Sequence, residues 1–227
     1  MKKILFGIFA HPDDEAFGPS GTLLLETRSG TELHLITLTA GENGMNPDNH
    51  SDLGAVRLEE WKQAGKLIGA AKMHHFGYED GTLGNQDHVE ITHKIESLIK
   101  EVVASSPDAA VEVMTMDLNG ITGHIDHIVA ARSAALAYYR LKEQGQPLTR
   151  LRLACIAENS LLTVNTDFVL MEPGRTQDEI TETIDARSVI EDVYAIIRTH
   201  HTQRSDGETH IERLGELVAL NHFIVIT

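Results

Sequence analysis

Apolar and polar positions along this chain follow two alternating periods. Residues 3–10 form an almost unbroken apolar run, the pattern of a strand covered on both faces. Residues 15–29 place Leu23, Leu24 and Leu25 ahead of a Ser-Gly stop and predict a helix. Residues 32–39 (ELHLITLT) alternate and are rich in strand formers, so a second strand follows. After a loop of Gly, Asn and Pro over 40–51, residues 52–68 have a helical period, with Gly69 as its stop. A short strand is expected at 72–76, a helix at 87–105, a strand at 109–116 and an alanine-faced helix at 125–143. Strands at 151–157 and 167–171, a helix at 187–199 and a terminal strand at 220–227 complete the reading.

Strands alternating with helices of this length imply βαβ units. The expected fold is α/β: a Rossmann-like, doubly wound, mostly parallel sheet with helices on both faces. With 227 residues and no repeat or linker, residues 1–227 are expected to form one domain. Ligands of such sheets gather beyond the C-terminal strand ends, near the reversal of strand order.

Composition narrows the setting. No apolar stretch is long enough to span a membrane. The N-terminus imitates a secretory signal, but its apolar run is short, ends in acids and lacks a small-residue cleavage site. The cytoplasm is therefore the expected location, and a single cysteine, Cys155, agrees because it cannot form an internal disulfide. Against 34 Asp and Glu stand 19 Lys and Arg, for a net charge of −15. That balance argues against nucleic acid or anionic lipid as partners and favours a neutral or amine-bearing small substrate. A homo-oligomer is compatible with the sequence.

The chemistry concentrates in two places. The first strand runs into Ala10-His11-Pro12-Asp13-Asp14-Glu15, and neighbouring carboxylates beside a core are costly unless a cation offsets them. A turn there can aim His11 and Asp14 at one metal while Asp13 points elsewhere. Asp13 and Asp14 could instead cap a helix, but capping does not account for His11. Gly120-Ile121-Thr122-Gly123-His124-Ile125-Asp126-His127 follows another strand and opens a helix. His124 and His127 share a face, so either can complete the metal site while the other meets the substrate. A His-Asp-His site with an open position lowers the pKa of bound water to about 7. Asp13 can take that water's proton, and His124 can stabilise an oxyanion. The set suits amide or ester hydrolysis. No G-x-G-x-x-G occupies the first turn, which argues against a dinucleotide.

AHPDDE with a downstream GHxDH resembles the LmbE/PIG-L family of zinc-dependent N-deacetylases. Thr39-Ala40-Gly41-Glu42, the spacing of Arg57, Glu60, Ala64 and Gly69, the loop Gly77–Gly81 and His200-His201-Thr202-Gln203 are similar to further family motifs. Ile125 stands where the family usually has proline, and the lysine often found before the last motif is missing. The resemblance implies that His11, Asp14 and His127 bind zinc. It also makes Asp13 the general base and His124 the electrophilic partner, with Asp126 orienting a histidine from behind. Arg57 and Asp80 would hold sugar hydroxyls of an N-acetylated sugar substrate. His and carboxylate ligands serve Fe2+ as well as Zn2+. Other readings are weighed beside these: Arg57 pairing with Glu60 on a helix surface, His200 or His201 at a helix C-terminus, and a non-catalytic metal-binding protein.

Overall fold

The computed structural model describes residues 2–158 and 170–227. Its strands are β1 (Lys3–Phe9), β2 (Glu32–Thr39), β3 (Lys72–Tyr78), β4 (Ala110–Met116), β5 (Leu148–Cys155), β6 (Glu182–Asp185) and β7 (Leu220–Ile226). The helices are α1 (Asp14–Phe17), α2 (Ser20–Arg28), α3 (Leu53–Ile68), α4 (Asn85–Ser105), α5 (Gly120–Gly123), α6 (Ile125–Glu143), α7 (Ile190–Thr199) and α8 (Arg204–Leu214). The sheet order is β3-β2-β1-β4-β5-β7-β6. β1 to β5 are parallel, and β7 runs antiparallel to both β5 and β6. This is the expected mostly parallel, doubly wound sheet.

β1 shows why its sequence reads as one apolar run. Ile4, Phe6 and Ile8 enter a core with Ile91, Ile95, Ile99 and Tyr138 of α4 and α6. Leu5 and Phe9 enter the opposite core with Leu23 of α2, Trp61 of α3 and Ile196 of α7. A strand covered on both faces needs apolar side chains at every step. Each side chain so buried contributes roughly 1.5–3 kcal/mol. Asp52 caps α3 by accepting the Ala55 N–H, and Gly69 ends it at φ 88°, as its position predicts.

Three features depart from the sequence reading. The helix expected over 15–29 is two, α1 and α2, because Pro19 lacks the N–H that a continuous helix would use. β6 and α8 are additional. The helix expected at 187–199 begins with a 3-10 turn, Arg187–Val189, before α7. The strand expected at 167–171 has its first three residues outside the described residues.

Strand order reverses between the neighbours β1 and β4, and both chemical motifs lie beyond the C-terminal ends of those two strands.

Candidate metal and active site

His11 is the centre of the site. Its Nε2 lies 2.9 Å from Asp80 Oδ1 and 3.2 Å from Asp126 Oδ2. Both neighbours only accept, so Nε2 carries a proton, and Nδ1 is the nitrogen left to face a cation. Asp126 is itself fixed by the N–H groups of Gly81 (2.8 Å) and Leu83 (3.1 Å). Asp80 accepts from the Asn43 N–H at 3.0 Å. Burial pulls the His11 pKa down, but the Asp126 and Asp80 carboxylates outweigh it and lift it to about 10. The pocket is built to favour positive charge at this ring.

His127 is arranged as a mirror case. Its Nδ1 lies 3.1 Å from the Gly120 carbonyl oxygen, an acceptor, so Nδ1 is protonated and Nε2 is free. Burial, with His11 nearby, lowers its pKa to about 4 and keeps the ring neutral. The free nitrogens, His11 Nδ1 and His127 Nε2, face each other at 3.0 Å. Asp14 Oδ1 is 3.3 Å from the second and Asp14 Oδ2 is 3.8 Å from the first. Asp14 Oδ2 also accepts the N–H groups of Ala10 (3.0 Å) and His11 (2.9 Å), which fix its carboxylate. Two ring nitrogens and a carboxylate thus converge, and a cation there would take the place of the proton that His11 otherwise holds on Nδ1. Imidazole nitrogen and carboxylate oxygen are zinc-type donors, and a divalent cation fits this arrangement.

His124 belongs to the same cluster: its ring centre is 5.0 Å from those of both His11 and His127. It also caps α6, where its Nδ1 accepts the Asp126 N–H at 3.1 Å. The neutral ring therefore carries its proton on Nε2 and can donate it. Burial, then His127 and His11, hold its pKa below the usual histidine range. Among the described residues, His11, His124 and His127 cluster closely enough to share a metal ion, as do His11, Asp80 and Asp126; Asp14 is in neither group, but its carboxylate lies against the facing nitrogens of His11 and His127.

Asp13 stands apart from the ligand atoms. Its backbone has φ 121° and ψ −26°, which L residues rarely adopt and which costs of order 1–3 kcal/mol. Burial raises its pKa to about 6, against the pull of Arg57. Arg57 is buried and donates through Nη2 to Asp13 Oδ2 (2.8 Å) and the Pro12 carbonyl (2.6 Å), and through Nη1 to the Gly41 carbonyl (2.7 Å). A Cβ at Gly41, which has φ 65°, would lie 2.3 Å from the guanidinium, so glycine is required for this approach. The surface pair with Glu60 does not form: Glu60 accepts from Thr202 N and Oγ1 instead. Arg57 and Asp80 therefore line the inner wall of the site, each already engaged with a site residue.

Of the histidines weighed as helix-terminal, His200 is buried at the end of α7 and His201 is exposed. Sequence reasoning gave no role to Asn43, Gly81 and Leu83, which hold Asp80 and Asp126. Their grip on the carboxylates is through backbone N–H, which leaves no residue-type signal, although the Asn43 side chain also donates to the Asp80 carbonyl at 2.7 Å.

The GlcNAc-PI de-N-acetylase (PIG-L) family model matches residues 6–139. A Bacillus cereus relative named "Probable N-acetyl-alpha-D-glucosaminyl L-malate deacetylase 2" is 28% identical over 191 residues, 82% of this chain and 79% of its own. The N,N'-diacetylchitobiose deacetylase of Pyrococcus horikoshii aligns over 99% of this chain and 84% of its own, with TM-score 0.68 and 18% identity. GalB, the 4-carboxy-2-hydroxymuconate hydratase of Pseudomonas putida, aligns over 100% of this chain and 97% of its own, with TM-score 0.66 and 16% identity. The structural likenesses establish a shared fold, which serves more than one chemistry. The family match spans β1 to α6 and with them both motifs of the site: the chain belongs to the PIG-L family of de-N-acetylases.

Proposed function

We propose that this protein is a metal-dependent hydrolase that removes the N-acetyl group from an N-acetylglucosamine-type sugar or conjugate. The observation that carries the reading is the convergence of His11 Nδ1, His127 Nε2 and Asp14 beside the Asp13 carboxylate, which Arg57 holds in place. His11, Asp14 and His127 would hold a divalent cation, Zn2+ or Fe2+. When bound, it supplies a Lewis acid for the acetyl carbonyl and acidifies a water molecule.

The chain's own groups do the rest. Asp13 accepts a proton from the attacking water, and Arg57 orients the Asp13 carboxylate. His124 donates from Nε2 to the oxygen that becomes negative as the carbonyl is attacked. Asp13 then returns its proton to the departing nitrogen, giving acetate and a free amine. Asp126, and Asp80 beside it, keep His11 in the ligating tautomer. In this reading Arg57 and Asp80 also bound the space for sugar hydroxyls.

The family membership and the N-acetylglucosaminyl relative support the sugar class. The net charge of −15 supports a small-molecule partner over nucleic acid. Among the described residues no helix is long and apolar enough to cross a membrane. A cytoplasmic setting agrees with the buried, unpaired Cys155. One sheet containing both β1 and β7 supports reading 1–227 as a single domain.

The test is acetate release by zinc- or iron-loaded protein from N-acetylglucosamine glycosides, set against non-sugar N-acetyl amides and esters. Turnover of sugars that chelation abolishes is the expected result. Metal-loaded protein that cleaves the simple amides and leaves every sugar intact defeats the substrate assignment.

A further inference from the structure

The segment after α7 returns to the HPDDE loop through a side chain that this chemistry leaves unused. His200 Nε2 lies 2.8 Å from Glu15 Oε1, and both side chains are fully buried. Glu15 only accepts, so Nε2 carries a proton and donates to it, while His200 Nδ1 has no partner among the described residues. The other oxygen of that carboxylate, Glu15 Oε2, accepts the backbone N–H of Asp13 at 3.2 Å. The Asp13 carbonyl in turn accepts from the N–H groups of Ala16 (2.9 Å) and Phe17 (2.8 Å). The unusual backbone of Asp13 is thus gripped on both sides, and the Phe17 ring meets His200 edge-on at 6.2 Å.

We propose that Glu15 and His200 are positioning residues for Asp13: Glu15 fixes its N–H, and His200 fixes Glu15. The proposal rests on Asp13 being the base. Burying a carboxylate and an imidazole is costly unless they are paired. An apolar pair would fill the same space but would offer no acceptor to the Asp13 N–H. The turn after His200 reaches Asp13 by a second route. Thr202 donates to Glu60 on α3 from N (2.9 Å) and Oγ1 (2.6 Å). Arg57, one helical turn before Glu60, grips the Asp13 carboxylate. Residues 200–203 therefore brace both the backbone and the side chain of the base.

The test uses full-length His200→Ala, His200→Gln, Asp13→Asn and the double variant Asp13→Asn/His200→Ala. The readouts are kcat and KM for acetate release from methyl N-acetylglucosaminide, zinc per chain, and amide exchange at Asp13 in metal-free protein. His200→Ala is expected to lower kcat between about 10- and 100-fold, as small misplacements of a reacting group do. KM and zinc content stay near wild type, and exchange at Asp13 quickens. His200→Gln, whose amide still donates to Glu15, recovers most of the loss. In the Asp13→Asn background the alanine adds little, because the group it places is already gone.

Unchanged kcat in His200→Ala overturns the proposal, as does a loss that tracks lost zinc or multiplies in full on Asp13→Asn. If His200→Ala does not fold, Glu15→Asp decides: it retracts the carboxylate from the Asp13 N–H, and wild-type kcat there is equally fatal. If Asp13→Asn turns over like wild type, the base assignment falls and takes this proposal with it. If Asp13→Asn is impaired and His200→Ala is not, only the proposal falls.

Discussion

The sheet carries two buried charged clusters, one towards each end of its strands, and they are built on opposite plans. Towards the N-terminal ends, Arg152 lies 2.8 Å from Glu26 and 3.0 Å from Glu112. Lys3 joins the same two glutamates, and Arg150 pairs with Glu182. Cations and anions balance there, and Lys3, Thr31 and Arg152 hold the Glu26 pKa low against the burial that would raise it. At the C-terminal ends, Asp13, Asp14, Asp80 and Asp126 surround three histidines, with Arg57 the single permanent cation in contact among the described residues. A structural cluster closes its own charge balance. The cluster proposed as the active site leaves a positive charge owing, and the facing nitrogens of His11 and His127 mark where it belongs.

Breaking the unbalanced cluster should have the larger effect on chemistry. His127→Ala removes a proposed ligand, and metal analysis should show the ion lost and turnover abolished. Asp13→Asn should retain the ion while turnover falls about 10²–10⁴-fold, and His124→Ala should retain it with a loss of about 10²–10³-fold. Equal metal loss in His124→Ala and His127→Ala would show their roles exchanged or shared. Arg152→Met probes the balanced cluster. It leaves Lys3 as the remaining cation for Glu26 and Glu112, so chemical denaturation should show a loss of about 1–3 kcal/mol with turnover of the folded protein unchanged. Asp126→Asn sharpens the contrast: metal affinity, read by competition with a chelator, should weaken about 10–100-fold.

The smallest expected effect is on pH. As the proposed base, Asp13 must be ionised to accept a proton, and its pKa is raised to about 6. Turnover should therefore fall on the acid side of that value, by about tenfold for each further unit. An acid limb that survives unchanged in Asp13→Asn would assign it to another group.

The two clusters also differ in how far the sequence announces them. Acids that end an apolar strand are conspicuous, and so is a His-Ile-Asp-His helix start. The pairing of Arg152 with Glu112 depends on strand register, which spacing along the chain does not give. The same limit applies inside the site. Glu15 meets His200 across 185 residues, and no local pattern predicts that contact. In the fold, β1 was legible as a strand buried on both faces because almost every position in it is apolar. β6 has four residues alternating between partly buried and exposed, and α8 (RSDGETHIERL) has few apolar side chains to set a period. Both are held by neighbours rather than by their own composition.

β7 is the last strand in the chain, yet it lies inside the sheet, between β5 and β6. During synthesis the chain completes β5 at residue 155 and must wait until residue 220 for the strand that covers it. In that interval β5 offers a row of unpaired amide and carbonyl groups to any extended peptide nearby. Termination before β7 would make that exposure permanent, so truncated products should aggregate edge to edge rather than persist as soluble fragments.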